Sequence, residues 1–301
     1  MRPRAPAPAA AAPPVDPLGR AFDAALAGDT RALYAFLART SGLPGVRANA
    51  NVLLAFASHA VTRGKRADAL IREMATLHAD RAPGGTELEF LPMCGVAAIG
   101  ARAASEAADA KLLRTSLGLL EAAAEDLRFR VRDEVPRALA RLGAVRGEPL
   151  VADLEGWMDG FFQSAAVLVA VTDNGWLSTL HSPDAILARL GAAWELARGA
   201  DRADERYPGY KALVDALGVT PGVLAARFGA PVFDMMVAWS SIKEPMLRSA
   251  IEKSLGGTKL GKRFASDVAR VEAALAASAP TRRDPGTDFG STRGRGRKRK
   301  R

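Results

Sequence analysis

The sequence predicts an all-α protein built from paired helices, and three observations support that class. Alanine is abundant and aromatic residues make up only 6% of the chain, so intrinsic propensity favours helix over sheet. Apolar residues recur with helical spacing in segments of about ten to twenty residues, and no strand-like alternation competes with them. Short groups of Gly, Pro and capping residues separate the segments, as in a helical array.

The fold class is therefore all-α, with about 12 to 14 helices expected from the apolar periodicity. Asp29-Thr30, Ser182-Pro183-Asp184 and Thr220-Pro221 place a side-chain oxygen where a helix begins, and the last two add Pro at the first helical position. In chain order, the predicted segments are 17–27, 30–40, 44–62, 66–78, 87–103, 107–124, 129–142, 148–171, 183–198, 210–217, 221–228, 231–240, 245–255 and 264–277.

The chain divides into three predicted parts that differ in composition and charge. Residues 1–14 are Ala/Pro-rich and lack the bulky apolar residues of a secretion signal, so a disordered N-terminus is expected. Residues 15–280 form the predicted helical repeat domain, and 281–301 form a disordered basic tail. The tail has nine basic and two acidic residues, a net charge of +7, and two N-terminal arginines supply the rest of the chain's +9. The helical domain is therefore neutral in sum.

Three predicted helices repeat one pattern: an apolar residue, an adjacent Arg, and further apolar residues four and eight positions after the first. Such spacing places the apolar members on one helical stripe. The separations between copies fit units of about 40 residues, the period of two-helix or three-helix repeats. The copies are Val46-Arg47, Ala50, Leu54; Val131-Arg132, Val135, Leu139; and Leu247-Arg248, Ile251, Leu255.

With this pattern the chain resembles the HEAT-repeat family of armadillo-like helical proteins. Residues 126–143, DLRFRVRDEVPRALARLG, are similar to one HEAT unit, and 244–264 resemble the last unit of small HEAT-like proteins. The resemblance implies an α–α superhelix, or solenoid. It also implies that Asp126 and Arg132 are structural residues of a ladder between stacked repeats. Because HEAT arrays serve mainly as scaffolds and adaptors, the resemblance favours a binding function.

Basic residues near the C-terminus are the candidate nucleic-acid contacts. The segment Gly256–Lys262 has the glycine and lysine spacing of a P-loop, but Arg263 stands where that motif needs Ser or Thr, and no strand precedes it. The prediction is instead a helix C-cap at Gly256 or Gly257 followed by a solvated loop. Lys259, Lys262 and Arg263 in that loop, together with Lys253 just before it, could contact a phosphate backbone.

The tail carries the most specific functional signal in the sequence. Seven positive charges in nine residues predict binding to DNA or RNA without sequence preference, and such binding weakens steeply as salt rises. The alternative interpretation is a terminus that only adds solubility. The residues concerned are Arg293, Arg295, Arg297, Lys298, Arg299, Lys300 and Arg301.

A second basic cluster lies in the helical domain, from Arg128 through Arg132 to Arg137 and Arg141. Acidic residues at 125, 126, 133 and 134 interleave with these arginines. The sequence therefore predicts a salt-bridged, solvated face there rather than a nucleic-acid surface.

No residue pattern predicts catalysis, a metal or a cofactor. His59, His78 and His181 lack metal-ligand spacing, and Cys94 lies in an apolar stretch that predicts a buried, inert thiol. Asp173 belongs to an Asp-Asn-Gly sequence that is typical of a turn. No apolar run reaches the ~18 residues of a membrane helix, so a soluble, cytoplasmic protein without a membrane partner is expected.

The sequence favours a non-enzymatic scaffold or binding module that presents a surface to an unidentified protein partner, with a nucleic-acid-binding tail. The alternative is a DNA-repair enzyme similar to the HEAT-like alkylpurine DNA glycosylases, which line a basic cleft with tryptophans, a carboxylate and an arginine. Tryptophans clustered with Asp159 or Asp173 and several arginines in one groove would favour the enzyme. Scattered, buried tryptophans would favour the scaffold. The four tryptophans are Trp157, Trp176, Trp194 and Trp239.

Overall fold

The computed structural model describes residues 16–105 and 108–278, except for the side chains of Thr258 and Lys259. This part of the chain is helical and contains no strand, so the predicted all-α class is confirmed for it. The predicted disordered segments 1–14 and 281–301 lie outside the described residues.

The described residues form seventeen α-helices and four short 3₁₀ helices. The 3₁₀ helices are Gly64–Ala67, Glu87–Glu89, Glu155–Asp159 and Asp204–Arg206. The α-helices are α1 Pro17–Leu26, α2 Arg31–Thr40, α3 Ala50–Arg63, α4 Asp68–Ala75, α5 Phe90–Ala103, α6 Ala110–Ala124, α7 Phe129–Arg146, α8 Glu148–Asp153, α9 Phe161–Val171, α10 Asn174–Leu177, α11 Asp184–Arg198, α12 Pro208–Leu217, α13 Thr220–Phe228, α14 Ala230–Trp239, α15 Pro245–Leu255, α16 Thr258–Arg263 and α17 Ala265–Ala277.

The helix count exceeds the predicted 12 to 14 because three short helices were not predicted. The segment 148–171, predicted as one helix, is broken at Gly160, whose backbone is extended, so that α8 and α9 are separate. Where a turn was predicted, the Asp173 carboxylate accepts from the Gly175 N–H at 2.8 Å and caps α10. The predicted C-cap at Gly256 is correct, but α16 follows Gly257 where a solvated loop was expected.

Several helices begin at side-chain caps, but some of the predicted caps do not form. Asp16, Asn49 and Asp109 each accept a backbone N–H from the first turn of α1, α3 and α6. Thr30 makes no such bond. Thr220 is buried inside α13, and its hydroxyl donates to the Leu168 carbonyl of α9 at 3.1 Å. A tertiary hydrogen bond thus replaces the predicted local cap.

The helices pack in a chain-ordered series. Helix α5 lies against α3, α4, α6 and α7, and the series continues as α7 on α9, α9 on α12 and α12 on α15. Every residue of α5 except Ala101 is buried. Gly95 allows the close approach of α4, since a Cβ there would lie 2.3 Å from the Ala75 nitrogen. Gly100 does the same for α7, with Ala138 2.7 Å from the Cβ position.

The repeated apolar pattern is buried in two of its three copies. The apolar members on α7 and α15 all belong to the core. The first copy is wrong, because α3 begins only at Ala50 and Val46, in the preceding turn, is 94% exposed. Among the residues that the structure describes, no helix has the length and apolar content needed to cross a membrane.

Candidate binding groove

One groove of about 880 Å³ opens between three consecutive helices of the packing series, α7, α9 and α12. Apolar side chains form most of its lining, and charged side chains stand among them. The lining residues are Ala124, Arg132, Asp133, Pro136, Arg137, Ala140, Arg141, Ala144, Phe162, Ala165, Ala166, Val169, Ala170, Thr172, Asp173, Pro208, Lys211, Ala212 and Asp215.

The floor of the groove is built from small side chains. Ala140 on α7 and Ala165, Ala166 and Ala170 on α9 line it while keeping at most 8% of their surface exposed. Small side chains thus form the floor, and no larger side chain fills the space beside them. The side chain of Val169, one turn along α9 from Ala165, is by contrast 46% exposed.

An aromatic cluster lies where α9 and α12 begin. The Arg132 guanidinium sits over the Phe162 ring, 4.5 Å from its centroid. Tyr207 contacts Phe162 edge-on at 5.4 Å between centroids and is 43% exposed. A partner in the groove would meet this aromatic surface directly, because Phe162 and Pro208 belong to the lining.

The α7 wall holds an ion triad centred on a buried carboxylate. Glu134 is 2% exposed, and its two oxygens accept from Arg137 at 3.2 Å and Arg141 at 2.9 Å. Burial raises the pKa of Glu134, and the two arginines oppose that shift. The second terminal nitrogen of Arg141, Nη1, is buried and has no hydrogen-bond acceptor among the described residues. The wall therefore keeps an unused donor.

The remaining charges give the groove a mixed character. Lys211 and Asp215 come from α12, and Asp215 pairs with Lys253 of α15 at 3.5 Å. Asp133 on α7 and Asp173 at the start of α10 add two carboxylates. Burial is the main cause that raises the pKa of Asp133. Four cationic and three acidic side chains line the groove, so it is not strongly basic.

The basic cluster at the start of α7 is structural, as its interleaved acids indicate. Arg128 is only 6% exposed, so the predicted solvated face is wrong at this residue. Its guanidinium pairs with Asp126 and donates to the carbonyls of Leu77 and Ala82 at 2.8 and 2.9 Å. The Arg132 guanidinium donates to the Asp126 backbone carbonyl. Of these two arginines, it is Arg128 that reaches back to the preceding helices.

Those predicted nucleic-acid-binding residues that the structure describes do not line the groove. Lys262 is exposed on α16. Arg263 donates to the Ala226 carbonyl at 3.1 Å and lies over the Phe264 ring, which ties α16 to α13. The side chain of Lys259 is not described, and the basic residues from Arg293 to Arg301 lie outside the described residues.

The tryptophans do not line the groove. Trp157, Trp176 and Trp194 are buried, and Trp194 stacks on Trp239 with 4.3 Å between the ring centroids. Trp157 borders a smaller cleft of about 580 Å³ beside α6, which also includes the side chains of Arg114, Glu121 and Asp153. Neither of these two clefts brings several tryptophans together with a carboxylate and arginines.

The other candidate reactive side chains lie outside the groove. Cys94 is buried in α5, and burial raises the pKa of its thiol well above the ordinary value. Asp234 pairs with Arg270 at 2.7 Å, while Asp159 is exposed. Within residues 16–105 and 108–278, no three His, Cys, Asp or Glu side chains are grouped to hold a metal ion.

The groove itself was not predicted from the sequence. Its signal was the segment FFQSAAVLVAV, which is apolar on nearly every face of α9 and whose alanines recur at helical spacing. That pattern equally describes a fully buried helix. Only the packing of α7 and α12 beside α9 shows which face stays open.

No family model, curated protein or solved structure matches this chain.

Proposed function

We propose that the chain is a non-enzymatic binding module of the HEAT-like solenoid type, whose groove holds a macromolecular partner. The solenoid assignment is supported by the series α3, α5, α7, α9, α12 and α15, in which each helix packs on the next. It is also supported by the buried apolar pattern shared by α7 and α15.

The observation that carries the binding function is the open apolar face of α9. Ala165, Ala166 and Val169 line a groove of about 880 Å³ that no described segment covers. A concave, largely apolar site with a few charged groups is the usual form of a binding site. Val169 on this face is 46% exposed, so its apolar side chain gains little from burial in the unbound protein and favours a partner.

The C-terminal tail adds a second, nonspecific contact with nucleic acid. The helical domain sums to zero charge, whereas the tail carries nine basic residues. We therefore assign the attraction to a polyanion to the tail. Such binding is driven by the release of counterions and does not use contacts with the bases.

The DNA-repair alternative receives no specific support from the geometry. A glycosylase of the HEAT-like type would use tryptophans and a carboxylate beside a distorted nucleotide, but three of the four tryptophans of this chain are buried and none lines the groove. Its test is release of an alkylated purine from DNA by the full chain, and we expect none.

The proposal is tested with three proteins: the full chain, a chain ending at Pro280, and the full chain carrying Ala212→Trp. Ala212 is a part-exposed residue of the groove, so a Trp there occupies the cavity. Ala273→Trp is the matched control, because Ala273 is exposed on α17 and outside the groove. Partners captured by the full chain are identified, and each is then measured for direct binding to all four proteins.

The expected result separates the two contacts. DNA and RNA binding disappears in the chain ending at Pro280 and falls steeply with salt in the full chain. Binding of a protein partner persists without the tail, is lost with Ala212→Trp and is kept with Ala273→Trp. Partner binding that survives Ala212→Trp would refute the groove assignment.

A further inference from the structure

We infer that the partner segment in the groove is an amphipathic helix with bulky apolar residues on one face and an acidic flank. This inference rests on the proposed function and specifies its partner. The volume of the groove and its aromatic surface indicate the bulky apolar residues of the partner, and the charges of the groove indicate the acidic flank.

The volume of the groove, about 880 Å³, and its largely apolar lining favour large apolar side chains in a partner. Ala140, Ala165, Ala166 and Ala170 leave a volume that small side chains of a partner could not fill. An amphipathic helix presents such residues at positions i, i+3, i+4 and i+7, which is how helices occupy apolar grooves. Interfaces of this kind gain most of their affinity from a few buried anchors.

The aromatic cluster defines one end of the site. Tyr207 is 43% exposed beside Phe162, whose ring is already covered by Arg132 on one side. A Phe, Leu or Met side chain of the partner would pack on the remaining aromatic surface. We therefore place one of the apolar anchors here, next to Pro208.

The charges of the groove favour an acidic flank. Two cationic side chains of the groove, Arg132 and Lys211, form no ion pair with described residues, and Arg132 donates only to a backbone carbonyl. Arg141, by contrast, already pairs with Glu134. Partner carboxylates beside α7 and α12 would pair with Arg132 and Lys211 through charge-assisted hydrogen bonds.

The acidic groups of the groove oppose a nucleic-acid occupant. Asp133, Asp173 and Asp215 stand in the lining, and each would repel a phosphate backbone. A peptide helix can place its carboxylates near the α7 arginines and keep them away from these aspartates. A polyanion with evenly spaced phosphates cannot, so we assign the groove to a polypeptide.

The test is a selection from a display library of random peptides about 16 residues long against the full chain, with the Ala212→Trp chain used to remove peptides that bind elsewhere. Enriched peptides are synthesised, and their dissociation constants are measured by fluorescence anisotropy. Lys211→Glu tests the charge, and Lys111→Glu is its control because Lys111 is exposed on α6 and outside the groove. A pool of random DNA and RNA oligonucleotides is tested in parallel on the chain ending at Pro280.

We expect enriched peptides with large apolar residues at helical spacing and more Asp and Glu than Lys and Arg. Their binding should weaken about tenfold or more with Ala212→Trp, about threefold to tenfold with Lys211→Glu, and not with Lys111→Glu. Enrichment of basic peptides, enrichment without apolar spacing, or no enrichment would overturn the inference. Groove-dependent binding of oligonucleotides would overturn it too, while leaving the groove as the binding surface. The proposed function itself fails only if captured partners also ignore Ala212→Trp.

Discussion

Helices α5 and α9 have nearly the same apolar character but different surroundings. Helix α5 is enclosed by α3, α4, α6 and α7, and all its residues except Ala101 are buried. Helix α9 is covered by α7 and α12 on its sides, yet Phe162 and Val169 face an open groove. The apolar residues of α5 therefore stabilise the fold. Those of α9 also stabilise the fold, but some of them leave a surface open for a partner.

The largest change in the free energy of unfolding is expected from a substitution of Arg128. This side chain connects the turn before α7 to the carbonyls of Leu77 and Ala82 after α4. Arg128→Ala removes the guanidinium that pairs with Asp126 and leaves the Leu77 and Ala82 carbonyls buried without their donor, so we expect a loss of about 3–5 kcal/mol in the free energy of unfolding. Urea denaturation measures it. Arg31→Ala, at a fully solvated arginine, should change nothing; equal effects would refute the role of Arg128.

The comparison between α5 and α9 is sharpened by removing one apolar side chain from each. Ile99 of α5 is 2% exposed, and Ile99→Ala should cost about 2–5 kcal/mol because it leaves a cavity. Val169→Ala on the open face of α9 should cost less than about 1 kcal/mol. Urea denaturation again gives both values. A cost for Val169→Ala as large as that for Ile99→Ala would mean that the groove face is enclosed.

Two glycine substitutions compare a closely packed helix position with an open one. In Gly95→Ala the new Cβ meets the Ala75 backbone, so we expect a loss of about 1–3 kcal/mol. Gly118 of α6 has open space at its Cβ position, and Gly118→Ala should stabilise the protein by about 0.5–1 kcal/mol through helix propensity. The change in melting temperature measures both, and a neutral Gly95→Ala would contradict the tight α4–α5 contact.

The smallest effect concerns pH and Glu148, at the start of α8. Hydrogen bonds from the N–H groups of Ser182 and His181, each 2.6 Å, hold the pKa of Glu148 below its usual value. A lowered pKa contributes stability that is present above the unfolded pKa of about 4.3 and is lost as pH falls through the folded value. The stability difference between wild type and Glu148→Gln should be constant near neutral pH and shrink below about pH 4. Melting temperatures across that range measure it, and a difference that grows on acidification would contradict this account.

The positions of the helices could be predicted from the sequence, whereas the groove could not. The first residues of α1 and α15 were predicted correctly at Pro17 and Pro245, because Pro suits the first helical position through its own backbone geometry. The break at Gly160 was missed because an isolated glycine is also tolerated inside a helix. Thr220 was misassigned because its hydroxyl finds the Leu168 carbonyl, a partner that is distant in sequence.

The candidate site required the structure for a similar reason. Whether Arg128, Arg137 or Arg141 faces solvent, a groove or the core depends on the helices packed against α7, and the spacing of residues alone does not decide it. The interleaved acids did indicate that these arginines are paired. The space over Ala140, Ala165 and Ala166 is a property of three helices together.

The central claim, that α9 keeps an open face while α5 is enclosed, is tested most directly by thiol labelling of Val169→Cys. The variant has two thiols, Cys94 in α5 and the new one in the groove, and Cys94 is buried with a raised pKa. We predict that one thiol reacts at the rate of an exposed cysteine in the native protein, and that Cys94 reacts only on global unfolding. Protection of both thiols in the native protein would contradict the open groove.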